Sequence, residues 1–277
     1  MRIGVILEPR DDRSFESLRD LVVQAESIGL DLCWIRAPSS DGSWSMTALG
    51  AALGAVTEQV RLAVQLPLGD HPVELAEELI VADLAVGGRI LGILDPEGLA
   101  SAVVDESLEV LLASLAPRSF THRGARWSVP RSEDGSVRVT PGPAQFELPI
   151  HLLGCGWADV AGRFGVAPVM GSDDAPPAAV HAWSTLAKMD GGAKHRWRRM
   201  AVRDWADSMD THDLIGHLRL EQAAWGMDTA VIDLSDRSPE AQSAAIEEIG
   251  RSVRPSLQLD TIPVALAQLW DRARHPV

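Results

Sequence analysis

Short apolar runs alternate with amphipathic stretches along most of the chain. Ile3–Leu7 is continuously apolar over strand length, the pattern of a parallel strand covered on both faces. From Ser14 to Ser27 the apolar residues Phe15, Leu18, Val22 and Ala25 recur at helical spacing, with Ser14 suited to cap the helix and Gly29 to end it. The same strand-then-helix unit is predicted at Leu32–Ile35 with Trp44–Thr57, at Arg61–Leu66 with Pro72–Val86, and at Arg89–Leu94 with Val103–Leu115. Residues 116–149, rich in proline, interrupt the rhythm. Their turn sequence Glu133-Asp134-Gly135-Ser136 and the alternating stretch Ser136–Thr140 predict an excursion with a small hairpin, too poor in apolar residues for a second core. The units then resume as Pro149–Leu153 with Trp157–Phe164, Ala167–Met170 with Pro177–Lys188, Arg199–Asp204 with Thr211–Trp225, and Thr229–Leu234 with Pro239–Val253. A further amphipathic helix is predicted at Ile262–Arg272.

Eight such units predict an α/β fold, a (β/α)8 TIM barrel forming a single domain over residues 1–277. The competing open, doubly wound sheet usually shows a glycine-rich turn after its first strand; here that turn reads Glu8-Pro9-Arg10-Asp11.

Composition narrows the function classes. With 39 acidic and 25 basic residues the net charge is −14, which argues against sequence-independent nucleic-acid binding. The basic cluster Lys194-His195-Arg196-Trp197-Arg198-Arg199 reads first as a solvated face and second as a phosphate patch. Two cysteines, Cys33 and Cys155, provide neither a disulfide framework nor a thiolate zinc site and suit a reducing compartment. The N-terminus does not read as a signal peptide, and no uncharged run approaches the about 18 residues of a membrane span. A cytoplasmic protein without membrane or nucleic-acid partners is the expectation.

Several ordered segments resemble the luciferase-like flavin-dependent oxidoreductases, the bacterial luciferase superfamily. Ala25-Glu26 through Gly29-Leu30-Asp31 to Trp34 looks like that family's approach to its second strand, and Thr57-Glu58-Gln59-Val60-Arg61-Leu62 like the approach to its third. His71-Pro72 through Ala76, with Asp83-Leu84-Ala85-Val86-Gly87-Gly88-Arg89, is similar to its third helix and the turn beyond. Phe120 to Gly124, Thr140-Pro141-Gly142-Pro143 and Leu148-Pro149-Ile150 follow its excursion, and Trp225-Gly226-Met227-Asp228 its last helix-to-strand turn. The resemblance implies a flavin-dependent monooxygenase or oxidoreductase acting on a small organic substrate. It implies reduced FMN or the deazaflavin coenzyme F-420 as cofactor, a possible flavin reductase as partner, and a homodimer. The small, uncharged helix around Ala48–Ala55 is the candidate dimer face, with burial inside the subunit as the alternative. Three departures stand out: Trp34 is followed by Ile35-Arg36-Ala37-Pro38 where many members carry an acid–histidine pair, the loop after Leu94 is short, and Gly154-Cys155-Gly156-Trp157 stands at the fifth turn.

In a (β/α)8 barrel the site lies at the C-terminal strand ends. There, Glu8 and His71 are the catalytic candidates, although His71 before Pro72 also suits a structural role. Arg36 and Gln65 are candidates for cofactor binding. So are Gly154, Cys155, Gly156 and Trp157, with Gly171 and Ser172, because glycine turns at helix starts offer backbone N–H groups to a phosphate. Plain turn glycines, and an Arg36 paired with a neighbouring acid, are the structural alternatives. A nucleophilic Cys155 is weighed against the absence of a nearby histidine, and Trp34, Trp157 and Trp205 as stacking platforms against ordinary packing. His181, His195, His212 and His217 show no metal-type spacing, so no metal is expected and a metal-dependent hydrolase is disfavoured. Asp70, Asp95, Asp173, Asp174, Asp204 and Asp233 would give the mouth an acidic rim, unfavourable to a phosphorylated cofactor if they point inward. That rim supports a second functional reading, a degenerate luciferase-like barrel serving as a binding or partner subunit.

Overall fold

The computed structural model describes residues 1–9, 14–38, 44–172, 174, 176–189, 199–205 and 209–259. The predicted roles of Arg10, Asp11, Asp173, Lys194–Arg198 and the helix Ile262–Arg272 lie outside these residues.

The strands are β1 (Arg2–Leu7), β2 (Leu32–Ile35), β3 (Arg61–Pro67), β4 (Ile90–Asp95), β5 (His122–Arg123), β6 (Ser128–Val129), β7 (Ile150–Leu153), β8 (Ala167–Val169), β9 (Met200–Asp204) and β10 (Thr229–Asp233). The helices are α1 (Phe15–Ser27), α2 (Met46–Gly54), α3 (Pro72–Ala85), α4 (Ser101–Leu115), α5 (Ala158–Phe164), α6 (Pro176–Met189), α7 (Thr211–Trp225), α8 (Pro239–Glu248) and α9 (Arg254–Leu259). Eight strands pair in parallel in the order β8-β7-β4-β3-β2-β1-β10-β9. A parallel bridge from Met170 to Ala201 joins the two ends, with Met170 N–H donating to Met200 O at 3.0 Å and Val202 N–H to Met170 O at 2.8 Å. The (β/α)8 barrel expected from the sequence is therefore the fold.

Local chemistry explains the element boundaries. Ser14 Oγ accepts from Ser17 N–H, Asp210 from Asp213 N–H and Ser238 Oγ from Ala241 N–H, capping α1, α7 and α8. Pro72 and Pro239 open their helices, and Gly226 ends α7 in the left-handed conformation. One helical stretch outruns its prediction: after Glu248 the chain passes through a π-turn, Ile249–Val253, directly into α9.

The small residues of α2 have a packing reason on their inner side. A Cβ on Gly50 would lie 2.6 Å from Val64 Cγ1, and one on Gly54 would lie 2.1 Å from Val86 Cγ1. Glycine thus lets α2 approach β3 and the end of α3 closely. On the outer side Ala48, Ala52, Ala55 and Val56 are exposed.

At the N-terminal end of the barrel, the turn between α2 and β3 is held by two side chains. Glu26 Oε1 accepts the N–H groups of Glu58, Gln59 and Val60 at 2.8, 2.6 and 2.9 Å. Arg89 approaches the same turn from the other side. Burial raises the Glu26 pKa, but the three amides outweigh it and the net value falls below the ordinary 4.5. A depressed folded pKa contributes stability above the unfolded value, and this is lost as pH falls through the folded one. Glu26→Gln is therefore expected to cost about 2 kcal/mol at neutral pH, with the gap to wild type shrinking steadily below about pH 4.5. Urea denaturation at pH 7 and in the acid range checks this; a pH-independent gap would contradict it.

The excursion contains a small hairpin, as expected, but it forms from β5 and β6, with one further bridge from Phe120 to Val137, and does not turn at Glu133–Ser136. The reason lies outside the excursion. Glu106 of α4 accepts the N–H groups of Arg126 at 3.0 Å and of Trp127 at 2.7 Å, and meets His122 Nε2 at 3.3 Å. Arg126 Nη2 donates to Gly69 O at 3.1 Å, tying the hairpin to the loop after β3.

Candidate functional site

Alternation along the parallel strands sends every second residue into the barrel. Ile6, Leu32, Trp34, Ala63, Leu91, Ile93, Val169, Met200, Val202 and Val231 form one apolar interior cluster. Buried His151 lies among these levels, in register with Ile93; the sequence pattern did not single it out. One further inward step toward the C-terminal end brings Glu8, Arg36, Gln65, Asp95, Asp204 and Asp233 to the mouth. A ring of mostly acidic groups thus stands over an apolar floor.

Within this ring Arg36 pairs with Asp233 and Gln65 with Asp95. Arg36 Nη2 lies 2.6 Å from Asp233 Oδ2, and its Nη1 donates to Ser235 Oγ at 3.1 Å. Ser235 in turn donates its N–H at 2.9 Å and its hydroxyl at 2.7 Å to Asp233 Oδ1. The paired alternative for Arg36 is thus realised, between residues nearly two hundred positions apart in sequence. Gln65 Nε2 donates to Asp95 Oδ2 at 2.8 Å, and Asp95 Oδ1 accepts the Glu97 N–H at 3.0 Å.

Among the described residues, buried polar atoms at these levels lack a hydrogen-bond partner. Gln65 is 8% exposed and Trp34 1%, yet Gln65 Oε1 and Trp34 Nε1 make no hydrogen bond. Neighbouring strands in register at Trp34 and Ala63 place these two residues diagonally. Buried groups of this kind are ordinarily satisfied, so an acceptor and a donor at this level suit a ligand or an ordered water.

The glycine turn after β7 forms as expected. Gly154 has φ +92°, a conformation that disfavours a side chain, and the chain then enters a short 3-10 turn, Cys155–Trp157, before α5. The Cys155 amide of this turn already has an anion. Asp174 Oδ2 accepts the Gly171 N–H at 2.6 Å and the Cys155 N–H at 3.1 Å, while Cys155 Sγ donates to Asp174 Oδ1 at 2.7 Å. Cys155 and Gly171 thus converge on a carboxylate of the chain itself, while the Gly154 N–H donates to Val169 O at 2.9 Å. Burial, and then the hydrogen bond and charge of Asp174, push the Cys155 thiol up to about 12. At neutral pH it is a thiol and no nucleophile. Gly156 and Ser172 stand exposed beside this cluster.

His71 sits at the N-cap of α3 without a side-chain cap bond; its ring meets Trp127 edge-on, with centroids 4.8 Å apart. Its Nδ1 makes no hydrogen bond. Trp127 itself is fixed by Nε1 donating to Ser107 Oγ at 3.1 Å. Sequence reasoning missed this clamp, because Glu106, Ser107 and Trp127 carry no motif. Glu8 stands half-buried just beyond β1. Of the stacking candidates, Trp34 is inside the barrel and Trp157 packs against the core. Trp205 donates Nε1 to Met209 O at 3.0 Å beneath the Arg237 guanidinium. Among the described residues no group of three His, Cys, Asp or Glu could hold a metal ion, and no helix is long and apolar enough to cross a membrane.

Comparison with known proteins agrees with the sequence resemblance. Residues 1–94, spanning β1 to β4 up to Leu94, match the family model described as luciferase-like monooxygenase. No curated protein matches the sequence. Among solved structures, the monooxygenase RslO1 from Streptomyces bottropensis has a TM-score of 0.76 at 16% identity, covering 92% of this chain and 99% of that one. The oxygenating constituent of 3,6-diketocamphane monooxygenase from Pseudomonas putida, solved with FMN, has a TM-score of 0.69 at 18% identity, covering 92% and 98%. The coenzyme F420-dependent tetrahydromethanopterin reductase from Methanopyrus kandleri has a TM-score of 0.66 at 14% identity, covering 92% and 99%. At these identities the likeness is one of fold.

Proposed function

We propose that this chain is an oxidoreductase of the luciferase-like monooxygenase kind, which binds a flavin or deazaflavin ring at the C-terminal mouth and acts on a small organic substrate. The observation that carries the reading is the family match over residues 1–94, because that stretch supplies Glu8, Arg36 and Gln65, half of the polar ring. When bound, the ring system supplies the hydride or the activation of oxygen, and the protein supplies shape, orientation and exclusion of water.

The residues meet the two ends of such a cofactor differently. At the ring end the fit is good: Gln65 Oε1 needs a donor and Trp34 Nε1 needs an acceptor, while the pyrimidine edge of a flavin offers both an N–H and carbonyl oxygens. The apolar floor beneath them would keep water from the reacting face. At the phosphate end the residues do not fit as they stand, because the amides of Cys155 and Gly171 are bonded to Asp174 and Arg36 is paired with Asp233. His71 is packed against Trp127, and the Glu8 carboxylate just past β1 would serve to orient a substrate.

Binding of riboflavin, FMN and the deazaflavin coenzyme, followed by quenching of the native tryptophan fluorescence, tests the reading. Saturable micromolar binding of at least one is expected, weakened about tenfold by Gln65→Ala, the loss of roughly one hydrogen bond. Folded protein that binds none of the three would instead favour the binding or partner subunit.

A further inference from the structure

Asp174 stands where a ligand phosphate would be expected to stand. Two backbone N–H groups from different loops, Cys155 after β7 and Gly171 after β8, converge on its Oδ2, and the Cys155 thiol donates to its Oδ1. Convergent amides from a glycine turn form the donor set that holds an anion. Here the anion is covalently part of the chain, so its effective concentration at the cradle is high and no ion need be captured from solution. We propose that Asp174 is a specificity-determining residue that takes the place of a cofactor phosphate, so that the mouth selects an isoalloxazine or deazaflavin ligand without one, at the level of riboflavin. The inference rests on the flavin reading and deepens it.

Three observations point the same way. The cradle amides are used, with a hydrogen bond as short as 2.6 Å to Gly171. Arg36, just beyond β2 at the mouth, is paired with Asp233 and donates to Ser235 Oγ. Asp95 and Asp204, on the inward positions at the ends of β4 and β9, add negative charge that would oppose a phosphate dianion. The ring end is equipped independently of all this: Gln65, more than nine-tenths buried, still presents an unpaired Oε1. A ligand that is planar, uncharged and offers an N–H meets that atom without confronting the acids.

The test compares riboflavin and FMN on the full chain. Wild type is expected to bind riboflavin at least about tenfold more tightly than FMN. Asp174→Ser, which frees both amides and removes the charge, is expected to tighten FMN at least about tenfold while riboflavin stays within about twofold. Asp174→Asn keeps the shape and removes only the charge, so it should show part of the same gain, and it serves if the serine variant is poorly folded. Millimolar inorganic phosphate should raise the melting temperature of Asp174→Ser and leave that of wild type unchanged. Wild type that binds neither flavin would overturn the selection of riboflavin, even where a variant binds FMN. Wild type binding FMN as tightly as riboflavin, or an FMN-to-riboflavin ratio unmoved by both substitutions, would overturn it while leaving the flavin reading standing. No binding of either flavin to wild type or variants would overturn both.

Discussion

Replacing Arg89 with alanine is expected to lower the stability of the fold by about 4 kcal/mol, which for a chain of this size is about 10 °C in melting temperature. The guanidinium makes five hydrogen bonds at the N-terminal end of the barrel. Nε donates to Val86 O at 3.0 Å, Nη1 to Thr57 Oγ1 and Val60 O at 3.0 Å each, and Nη2 to Gly54 O at 2.7 Å and Thr57 O at 2.9 Å. Gly54 and Val86 lie at the C-terminal ends of α2 and α3, where carbonyls lack helical partners, so one side chain satisfies two helix ends and the turn between α2 and β3. Its charge also helps to hold Glu26 ionised across that turn. Lysine has the charge without the planar fork, so Arg89→Lys should recover less than half of the loss. Urea denaturation measures both variants, and ligand binding at the opposite end should be unchanged in the folded fraction. A loss below about 1 kcal/mol for alanine would mean that water replaces the guanidinium at these carbonyls.

Asp83→Ala is the second large effect, expected to cost about 3 kcal/mol and to release the returning arm of the excursion. Asp83 is fully buried near the end of α3. Its Oδ2 accepts the Gln145 N–H at 3.0 Å, and its Oδ1 accepts Gln145 Nε2 at 2.8 Å and the Ile90 N–H at 3.3 Å. Gln145 also donates to Ile90 O at 2.7 Å and accepts from Arg61 Nη1 at 3.0 Å. Removing the carboxyl leaves the buried Ile90 N–H and the part-buried Gln145 N–H without this acceptor, which costs more than the hydrogen bonds it contributed. Because both residues serve one network, Asp83→Ala and Gln145→Ala together should cost clearly less than the sum of the two alone. Limited proteolysis should cut the Asp83→Ala chain within residues 130–147 faster than wild type. Additive energies and an unchanged cleavage pattern would show that the arm is held elsewhere.

These two networks explain what the motifs of the resemblance are for. Glu26, Thr57, Asp83 and Arg89 all belong to the segments that resemble the luciferase-like family, and all four act at the N-terminal end of the barrel, where residues stabilise the scaffold. The resemblance was therefore legible as fold before it was legible as chemistry.

What the chain settles locally is the succession of strands and helices. Apolar runs such as Leu32–Ile35 must be covered on both faces, and caps such as Ser14, Asp210 and Gly226 act within a few residues, so boundaries and the closed barrel follow from short-range pattern. From that alternation the acidic strand ends could also be read. Tertiary structure alone decided which charges meet. Arg36 finds Asp233 across β1, Glu106 selects the hairpin that forms in the excursion, and Asp174 folds back onto the amides of Cys155 and Gly171. A carboxylate carries no local sign of whether it will face solvent or fill an anion cradle, because that choice depends on donors brought to it from other loops by barrel closure.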